Sequence, residues 1–253
     1  MSVYTRRLFV SLIFLMLPLL LQKSVLGAGQ QGEVPEFTAL RIAKAPIQDG
    51  FLDDDTWRGA ALYGNTASGF ISVCCTRLAY YQPVVFAAWD SEFLYLAAIL
   101  HAPNTVELKM DSREERFSWS DDLVQFFIEP QLDGYFVYYA VNPKGITTCN
   151  DVFSPGVVSN ERLDKGFSAG TGIKDIYWTA ELSISWNTLG IKPEPGMRVG
   201  FNIVVNQTAR QDGWSSWSGI YGSALNPARF GYLFLGDYKY IPILPRTSEE
   251  DDF

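Results

Sequence analysis

Short runs of Val, Ile, Phe, Tyr and Trp recur along the chain between clusters of Gly, Pro, Asn and Asp, while helix signals are scarce. Such runs are typical of β-strands joined by turns, so the sequence predicts an all-β fold. The predicted strands are Val84–Trp89, Phe93–Leu100, Leu123–Glu129, Tyr135–Val141, Tyr177–Ser185, Val199–Asn206 and Phe230–Leu235. We expect one antiparallel β-sandwich with jelly-roll or immunoglobulin-like layering.

The alternation of side chains supports this interpretation. In Tyr177–Ser185, apolar and polar residues alternate, so one face of the strand faces a core and the other is wetter. Phe93–Leu100 is apolar on both faces, as in a central strand covered on each side. Asp90 and Ser91 predict a tight hairpin, and Gln131–Gly134 predicts a second turn. The polar, aperiodic region 143–174 predicts long loops with at most one short strand.

The amino terminus has the layout of a secretory signal. Arg6 and Arg7 precede the apolar run Leu8–Leu21, and small residues follow around Ala28. We therefore expect a signal peptide over 1–28 and a secreted or periplasmic mature protein without a membrane span. The sandwich is expected over residues 37–237, followed by an acidic flexible tail over 238–253.

The formal net charge of −8 argues against nucleic acid as a partner. The chain has three cysteines, the neighbours Cys74 and Cys75 and the distant Cys149. Adjacent cysteines rarely bridge each other, because the resulting ring is strained. The residues therefore favour one disulfide between Cys149 and either Cys74 or Cys75.

The tryptophans divide into two groups. Four fall where the sandwich pattern buries side chains and are predicted to be core or cap residues, namely Trp57, Trp89, Trp178 and Trp186. Trp214 and Trp217 are three residues apart, so in an extended strand they point to opposite faces and at most one is in the core. Trp119 follows a polar, charged stretch, where it is either a binding platform or a packed rim residue.

Several other motifs carry weaker signals. Gly166–Gly170 has the letters of a nucleophile elbow, but the only histidine, His101, lies upstream, so we reject that interpretation. Asn206 begins a glycosylation sequon. Asp121 and Asp122 form an acidic pair that is predicted to be a solvated turn rather than a calcium site.

Six ordered segments resemble the family 9 carbohydrate-binding modules and their DOMON-like relatives, which are β-sandwiches. The resemblance spans most of the chain after the signal. The segments are Ala45–Gly50 with Leu52, Asp53 and Trp57; Val85–Leu96; Trp119–Glu129; Trp178–Trp186; Gly196–Asn202; and Ser216–Ser218 with Asn226–Gly231.

The resemblance implies that a sugar ring is held between two tryptophans, with polar groups on its hydroxyl rim. The first tryptophan falls on Trp119, the second near Ala224, the rim carboxylate on Gln125 and the basic rim residue near Ala140. Trp214, Trp217 and Tyr221 are candidates for the missing ring. The predicted ligand-binding residues are Trp119, Gln125, Tyr139, Trp217, Tyr221 and Asn226. Structural calcium, common in the family, is a candidate at Asp49 and Asp53.

The sequence therefore predicts a secreted, non-catalytic protein that binds poly- or oligosaccharide through an aromatic platform and has a glycan-degrading enzyme as a candidate partner. Three alternatives remain open. A glycan-active hydrolase would pair Glu107 with Asp121 or Asp122. A haem-binding, electron-transferring relative would use His101, Lys109 or Met110 as ligands. The third is a sandwich that contacts other proteins.

Overall fold

The structure is a computed structural model, and it describes residues 34–241 apart from 65, 74–76, 115, 155–156, 160–165, 210–212 and 221–222. In this part of the chain, thirteen strands and two α-helices are formed. The strands are β1 (Glu36–Ile42), β2 (Ile71–Ser72), β3 (Val84–Trp89), β4 (Phe93–His101), β5 (Leu123–Glu129), β6 (Phe136–Val141), β7 (Thr147–Ser154), β8 (Val157–Ser159), β9 (Phe167–Ile173), β10 (Tyr177–Ser185), β11 (Arg198–Asn206), β12 (Trp214–Ser216) and β13 (Gly231–Tyr240). The helices are α1 (Asp55–Tyr63) and α2 (Trp186–Leu189), and two short 3-10 helices span Thr105–Glu107 and Pro227–Arg229.

The strands pair in the continuous order β8-β7-β6-β5-β11-β13-β1-β3-β4-β10-β9, with β12 joining β11 to β2. The two halves of this path enclose one main core, which confirms the predicted all-β sandwich. Most pairs are antiparallel, but β1 runs parallel to both β13 and β3. This strand connects the half that contains β5, β6 and β11 to the half that contains β3, β4 and β10.

The predicted core tryptophans are confirmed. Trp89, Trp178 and Trp186 lie in the main core, and Trp57 lies in a second cluster on the outer face of β3 and β4. Two buried indole N–H groups donate hydrogen bonds to backbone carbonyls. Trp89 donates to Gly236 at 3.1 Å, and Trp186 donates to Asp90 at 3.0 Å. Such matching matters because an unpaired polar group in a dry core is costly.

The expectation of long loops over 143–174 is wrong, because β7, β8 and β9 lie there. The sequence of β9, FSAGTGI, shows no apolar alternation, yet its backbone pairs with seven successive residues of β10. Helix α1 was also not predicted. Its buried residues are Thr56, Trp57, Gly59 and Ala60, so it is stabilised by packing on the sheet more than by a strong helical sequence pattern.

Each half of the sandwich has its outer face partly covered by a chain segment. We call residues 43–63, which include α1, the N-terminal cover; it packs on Ala88, Tyr95 and Ala97 of β3 and β4. We call residues 213–230, apart from 221–222, the C-terminal cover; with β12 and Ile220 it packs on Phe127, Tyr138 and Val204. Both covers leave part of their sheet face open.

The predicted signal peptide, most of the acidic tail, and Cys74 and Cys75 lie outside the described residues. The export signal and the disulfide therefore stay predictions. No helix in the described part of the chain is long and apolar enough to cross a membrane.

Candidate functional site

A cavity of about 420 Å³ opens beside the C-terminal cover, on the outer face of β5, β6 and β11. Its aromatic lining comes from Trp119, Phe127, Tyr138 and Trp214, and Gln125 supplies an amide. Aliphatic side chains, including Val204 and Ile220, form the floor and wall. The volume falls within the range of small-molecule sites, and the lining combines flat rings with a few polar groups.

Trp119 is 43 % exposed, so one part of its indole faces solvent. Its ring also contacts two neighbours, with centroid separations of 5.0 Å to Phe117 and 6.0 Å to Tyr138. Both pairs are edge-to-face, which holds the indole in a defined orientation. The indole therefore has a fixed orientation and leaves part of its surface open to solvent.

The loop that bears Trp119 is held by the buried carboxylate of Asp121. One oxygen accepts the backbone N–H of Asp111 at 2.8 Å, and the other accepts the N–H of Ser112 at 2.8 Å and the Asn142 amide at 2.9 Å. These hydrogen bonds lower the pKa of Asp121 although burial opposes them. The loop that bears Trp119 thus depends on a carboxylate that stays ionised at neutral pH.

Asp122 ties the same loop to the end of β11. Its oxygens accept the backbone N–H of Lys109 at 2.8 Å, the N–H of Thr208 at 3.0 Å, and the Thr208 hydroxyl. Asn206 donates its side-chain amide to the Asp121 carbonyl at 2.9 Å. Because Asn206 is only 6 % exposed, the folded protein shields the predicted glycosylation sequon.

Four polar groups around the cavity have no side-chain hydrogen-bond partner within the part of the chain that is described. They are the Gln125 amide, the Tyr138 hydroxyl and the indole N–H groups of Trp119 and Trp214. Burial raises the pKa of Tyr138, so its hydroxyl keeps its proton and can donate. Together these groups offer donors and acceptors beside exposed aromatic faces.

The structure brings only some of the predicted site residues together. Trp119 and Gln125 line the cavity, and so does Ala224, the position expected for a second tryptophan. Asn226 is exposed beside the cavity residue Leu225 but does not line the cavity. Tyr221 lies outside the described residues.

Two predicted residues are placed in the main core instead. Tyr139 is fully buried, and its ring contacts Phe167 at 5.1 Å. Trp217 is 5 % exposed and packs edge-on against Phe37 at 5.3 Å. Neither ring can reach a ligand in the cavity, so the earlier assignment of these two residues is corrected.

Their neighbours Tyr138 and Trp214 line the cavity instead. Tyr138, across from Phe127 in the β5–β6 register, faces the cavity, while Tyr139 faces the core. All six residues of β6 are buried, so alternation of polarity could not distinguish the two faces. The spacing of Trp214 and Trp217 predicts that they point to opposite faces. It does not predict that Trp217 is the one that faces the core.

The carboxylates of the acidic clusters accept hydrogen bonds from the backbone in the described part of the chain. Within the described residues, no three His, Cys, Asp or Glu side chains come close enough to hold a metal ion. Asp49 instead accepts the backbone N–H of Phe51 at 2.9 Å. Calcium at Asp49 and Asp53 stays a prediction, whereas Asp121 and Asp122 are buried anchors rather than a solvated turn.

The residues of the alternative functions are dispersed. Glu107 is exposed at a 3-10 helix, whereas the oxygens of Asp121 and Asp122 are occupied by the hydrogen bonds described above. Met110 packs against the main core, while His101 ends β4 and Lys109 is exposed. Ser168 of the rejected elbow lies within β9, where its hydroxyl is 2.8 Å from that of Ser183.

Comparison with known proteins gives a consistent result. The profile of the family described as "Carbohydrate family 9 binding domain-like" matches residues 47–238. Endo-1,4-beta-xylanase A of Thermotoga maritima is 28% identical over 157 residues, which cover 58% of this chain and 13% of the xylanase. The enzyme of the same name from Thermotoga neapolitana is 28% identical over 158 residues. The chain thus corresponds to a small part of these relatives.

Solved structures resemble the whole fold. A family 9 carbohydrate-binding module from Caldicellulosiruptor kristjanssonii in complex with glucose aligns with a TM-score of 0.59 at 20% identity, over 83% of this chain and 100% of the module. The module in complex with cellotriose gives 0.57 at 21% identity, with the same coverage. A putative carbohydrate-binding protein from Bacteroides uniformis gives 0.59 at 13% identity, over 79% of this chain and 98% of that protein. At these identities the likeness establishes the fold.

Proposed function

Because this chain belongs to the family of carbohydrate family 9 binding domains, we propose that it binds a poly- or oligosaccharide in the Trp119 cavity without catalysing a reaction. The observation that carries the proposal is the combination, in one cavity, of a 43 % exposed indole with polar groups that have no partner among the described residues. A sugar supplies a C–H face for the exposed indole and hydroxyl groups for the polar side chains.

A pyranose has a flat face of C–H groups and a rim of hydroxyls. The face lies against an aromatic ring, while hydroxyls exchange hydrogen bonds with amides and phenols. In this cavity Trp119 and Trp214 offer the rings, and Gln125 and Tyr138 offer the rim contacts. Gln125 both donates and accepts, as a neutral hydroxyl does.

The cavity also differs from the pattern of the family in a way that shapes the proposal. Ala224 stands where the resemblance implies a second tryptophan, and Ala140 stands where it implies a basic residue. Ala140 lies across from Gln125 in the β5–β6 register and is fully buried. We therefore expect Trp214, from β12, to be the second ring, and we expect no charged contact to the sugar from β6.

We further propose that residues 1–28 direct export and that a glycan-degrading enzyme is a partner of the mature protein. The fact that the curated relatives are named xylanases supports the second proposal. Mass spectrometry of the mature protein tests the first: a polypeptide that begins near residue 29 is expected, and one that retains residues 1–28 in an exported fraction contradicts it.

The binding proposal is tested by tryptophan fluorescence and calorimetry with glucose, cellotriose and xylotriose. Trp119→Ala is expected to weaken binding at least about tenfold, since it removes one stacked ring. Gln125→Ala is expected to weaken it several-fold through loss of a rim hydrogen bond. Tyr238→Ala is the matched control, because Tyr238 is 64 % exposed but does not line the cavity. Unchanged affinity in Trp119→Ala would refute the assigned site.

A further inference from the structure

A second pocket, of about 500 Å³, opens on the outer face of β3, β4 and β10, in the part that the N-terminal cover leaves open. Its aromatic lining is Tyr80, Tyr81, His101 and Tyr177, and Val84 and Ile99 form its floor. It shares no lining residue with the Trp119 cavity. Among the residues that the structure describes, no carboxylate, ammonium or guanidinium group lines it.

The floor of this pocket is made by regular strands. Tyr177 of β10 lies directly across from His101 of β4, and Val84 of β3 lies across from Ile99 of β4. These four side chains point to the same outer face because alternate positions of β4 share a face. The platform is therefore fixed by strand pairing rather than by a mobile loop.

The wall of the pocket is a short loop with its own anchor. Gln82 donates its side-chain amide to the carbonyls of Phe70 and Ala79, at 2.9 and 2.8 Å, and accepts the N–H of Phe70 at 2.8 Å. This anchor holds Tyr80 and Tyr81 edge-to-face with centroids 4.9 Å apart, and Tyr81 edge-to-face with His101 at 5.0 Å. Tyr80 is nevertheless 68 % exposed.

Two hydrogen bonds connect this pocket to the Trp119 cavity. Gln207 donates its side-chain amide to the His101 carbonyl at 3.1 Å. Its neighbour Asn206 donates to the carbonyl of Asp121, two residues after Trp119, at 2.9 Å. The end of β4 that bears His101 therefore meets the end of β11 that supports the Trp119 loop, so the two pockets, which open on opposite outer faces, both border this end of the sandwich.

We propose that the Tyr81–His101–Tyr177 pocket binds a neutral sugar unit, as a second site for the glycan that occupies the Trp119 cavity. This inference rests on the proposed function. The uncharged lining fits a neutral pyranose, because the rings offer flat faces and the phenol and imidazole groups offer rim hydrogen bonds. Two sites at one end of the protein raise the affinity for a long chain by making the second contact intramolecular.

The chain offers a direct reporter for this site, because His101 is its single histidine. In NMR spectra of a tag-free sample, the imidazole resonances of His101 report on the second pocket. The indole N–H resonance of Trp119 reports on the first. Titration with cellotriose and xylotriose is expected to shift both signals saturably. In Trp119→Ala, the His101 shift is expected to persist with a midpoint changed less than about threefold, since the pockets share no lining residue.

Tyr81→Ala is expected to weaken the His101 response about tenfold, as the loss of one ring implies, and to leave the Trp119 response unchanged. If Tyr81→Ala does not fold, Tyr80→Ala takes its place, because Tyr80 also lines the pocket and is 68 % exposed. Its loss is expected to weaken the His101 response and to leave the Trp119 response unchanged. Tyr238→Ala serves as the exposed tyrosine control.

The outcomes separate the two proposals. A Trp119 signal that moves while His101 stays still overturns the second site and leaves the first intact. A His101 shift that disappears in Trp119→Ala shows transmission from the first cavity and also overturns the second site. If neither signal responds to either trisaccharide, both proposals fail for these sugars.

Discussion

The N-terminal and C-terminal covers are each held on the sheet by one buried side chain, but the two side chains differ in chemistry. The N-terminal cover is anchored by the carboxylate of Glu181, which accepts the Trp57 indole N–H at 2.6 Å and the Gly50 backbone N–H at 2.7 Å. The C-terminal cover is anchored by a neutral amide, since Asn202 accepts the Ser216 hydroxyl and the Ser218 N–H, both at 3.1 Å. Both anchors are fully buried.

The difference matters for how each face responds to pH. Burial raises the pKa of Glu181 to about 7, with smaller contributions from Asp49 and Asp54, whereas Asn202 does not titrate. The pKa of Asp121, which supports the Trp119 loop, is lowered instead. Neutral pH therefore destabilises the anchor of the N-terminal cover, whereas Asp121 beside the Trp119 cavity stays ionised.

The largest effect is expected for Asp121→Ala. The change leaves the N–H groups of Asp111 and Ser112 and the Asn142 amide without their acceptor in a buried place. We expect a loss of about 3 kcal/mol in the free energy of unfolding, together with loss of sugar binding, because the Trp119 loop loses its anchor. Urea denaturation and the cellotriose titration measure the two effects.

Asp111→Ala is the matched control for this loop, since Asp111 is exposed and its role in the anchor uses only its backbone. It is expected to change stability by less than about 0.5 kcal/mol. Full cellotriose binding in a folded Asp121→Ala protein would show that the loop does not need this carboxylate.

A smaller effect, confined to the other face, is expected for Gly170→Ala. An added Cβ would lie 2.9 Å from the backbone N of Asp49 and closer still to the carbonyl of Gln48. The N-terminal cover would have to shift away from β9, at a cost of about 2 kcal/mol, while sugar binding at Trp119 stays unchanged. Thermal unfolding measures the change.

Ser168→Ala tests the same strand without the clash. It removes the hydroxyl contact to Ser183 and is expected to lower stability by about 0.5 kcal/mol. Equal losses of stability in Gly170→Ala and Ser168→Ala would mean that the added Cβ at Gly170 does not displace the N-terminal cover.

The sequence predicts elements in both halves of the sandwich where local pattern is strong. β3, β5 and β10 begin and end where their apolar runs predict. The hairpin at Asp90 is confirmed too, since its carboxylate accepts the N–H groups of Glu92 and Phe93, both at 2.8 Å. In these elements local pattern and tertiary environment agree.

The failures come from residues whose environment is set by distant partners. β9 lacks the apolar alternation of a strand, because Gly170 and Gly172 must be small to leave room for the N-terminal cover. Its strand conformation depends on pairing with β10, which the local sequence does not show. Trp119 and Gln125 were found from a resemblance, but Tyr138 was missed because β6 is buried on both faces. The sequence thus predicts which strand reaches the site more readily than which of two adjacent tyrosines faces it.

The last predicted effect is the pH dependence of the N-terminal cover, which depends on the raised pKa of Glu181. Between pH 4.5, the usual value for glutamate, and about 7, folded Glu181 retains a proton that the unfolded chain has released. Stability therefore falls as pH rises through this window, and it levels off above about 7. We expect a loss of about 1 to 3 kcal/mol, since each unit by which the folded pKa exceeds the unfolded pKa corresponds to about 1.4 kcal/mol.

Glu181→Gln removes the titration while keeping the shape of the side chain. One of its atoms becomes an N–H donor that faces either Trp57 or Gly50, so the variant is less stable at every pH, but its profile is expected to be flatter between pH 4.5 and 7. Because Glu181 anchors the N-terminal cover only, the cellotriose affinity at Trp119 should not follow this profile. A parallel decline of stability in wild type and variant would assign the pH dependence to other groups and remove the contrast between the covers.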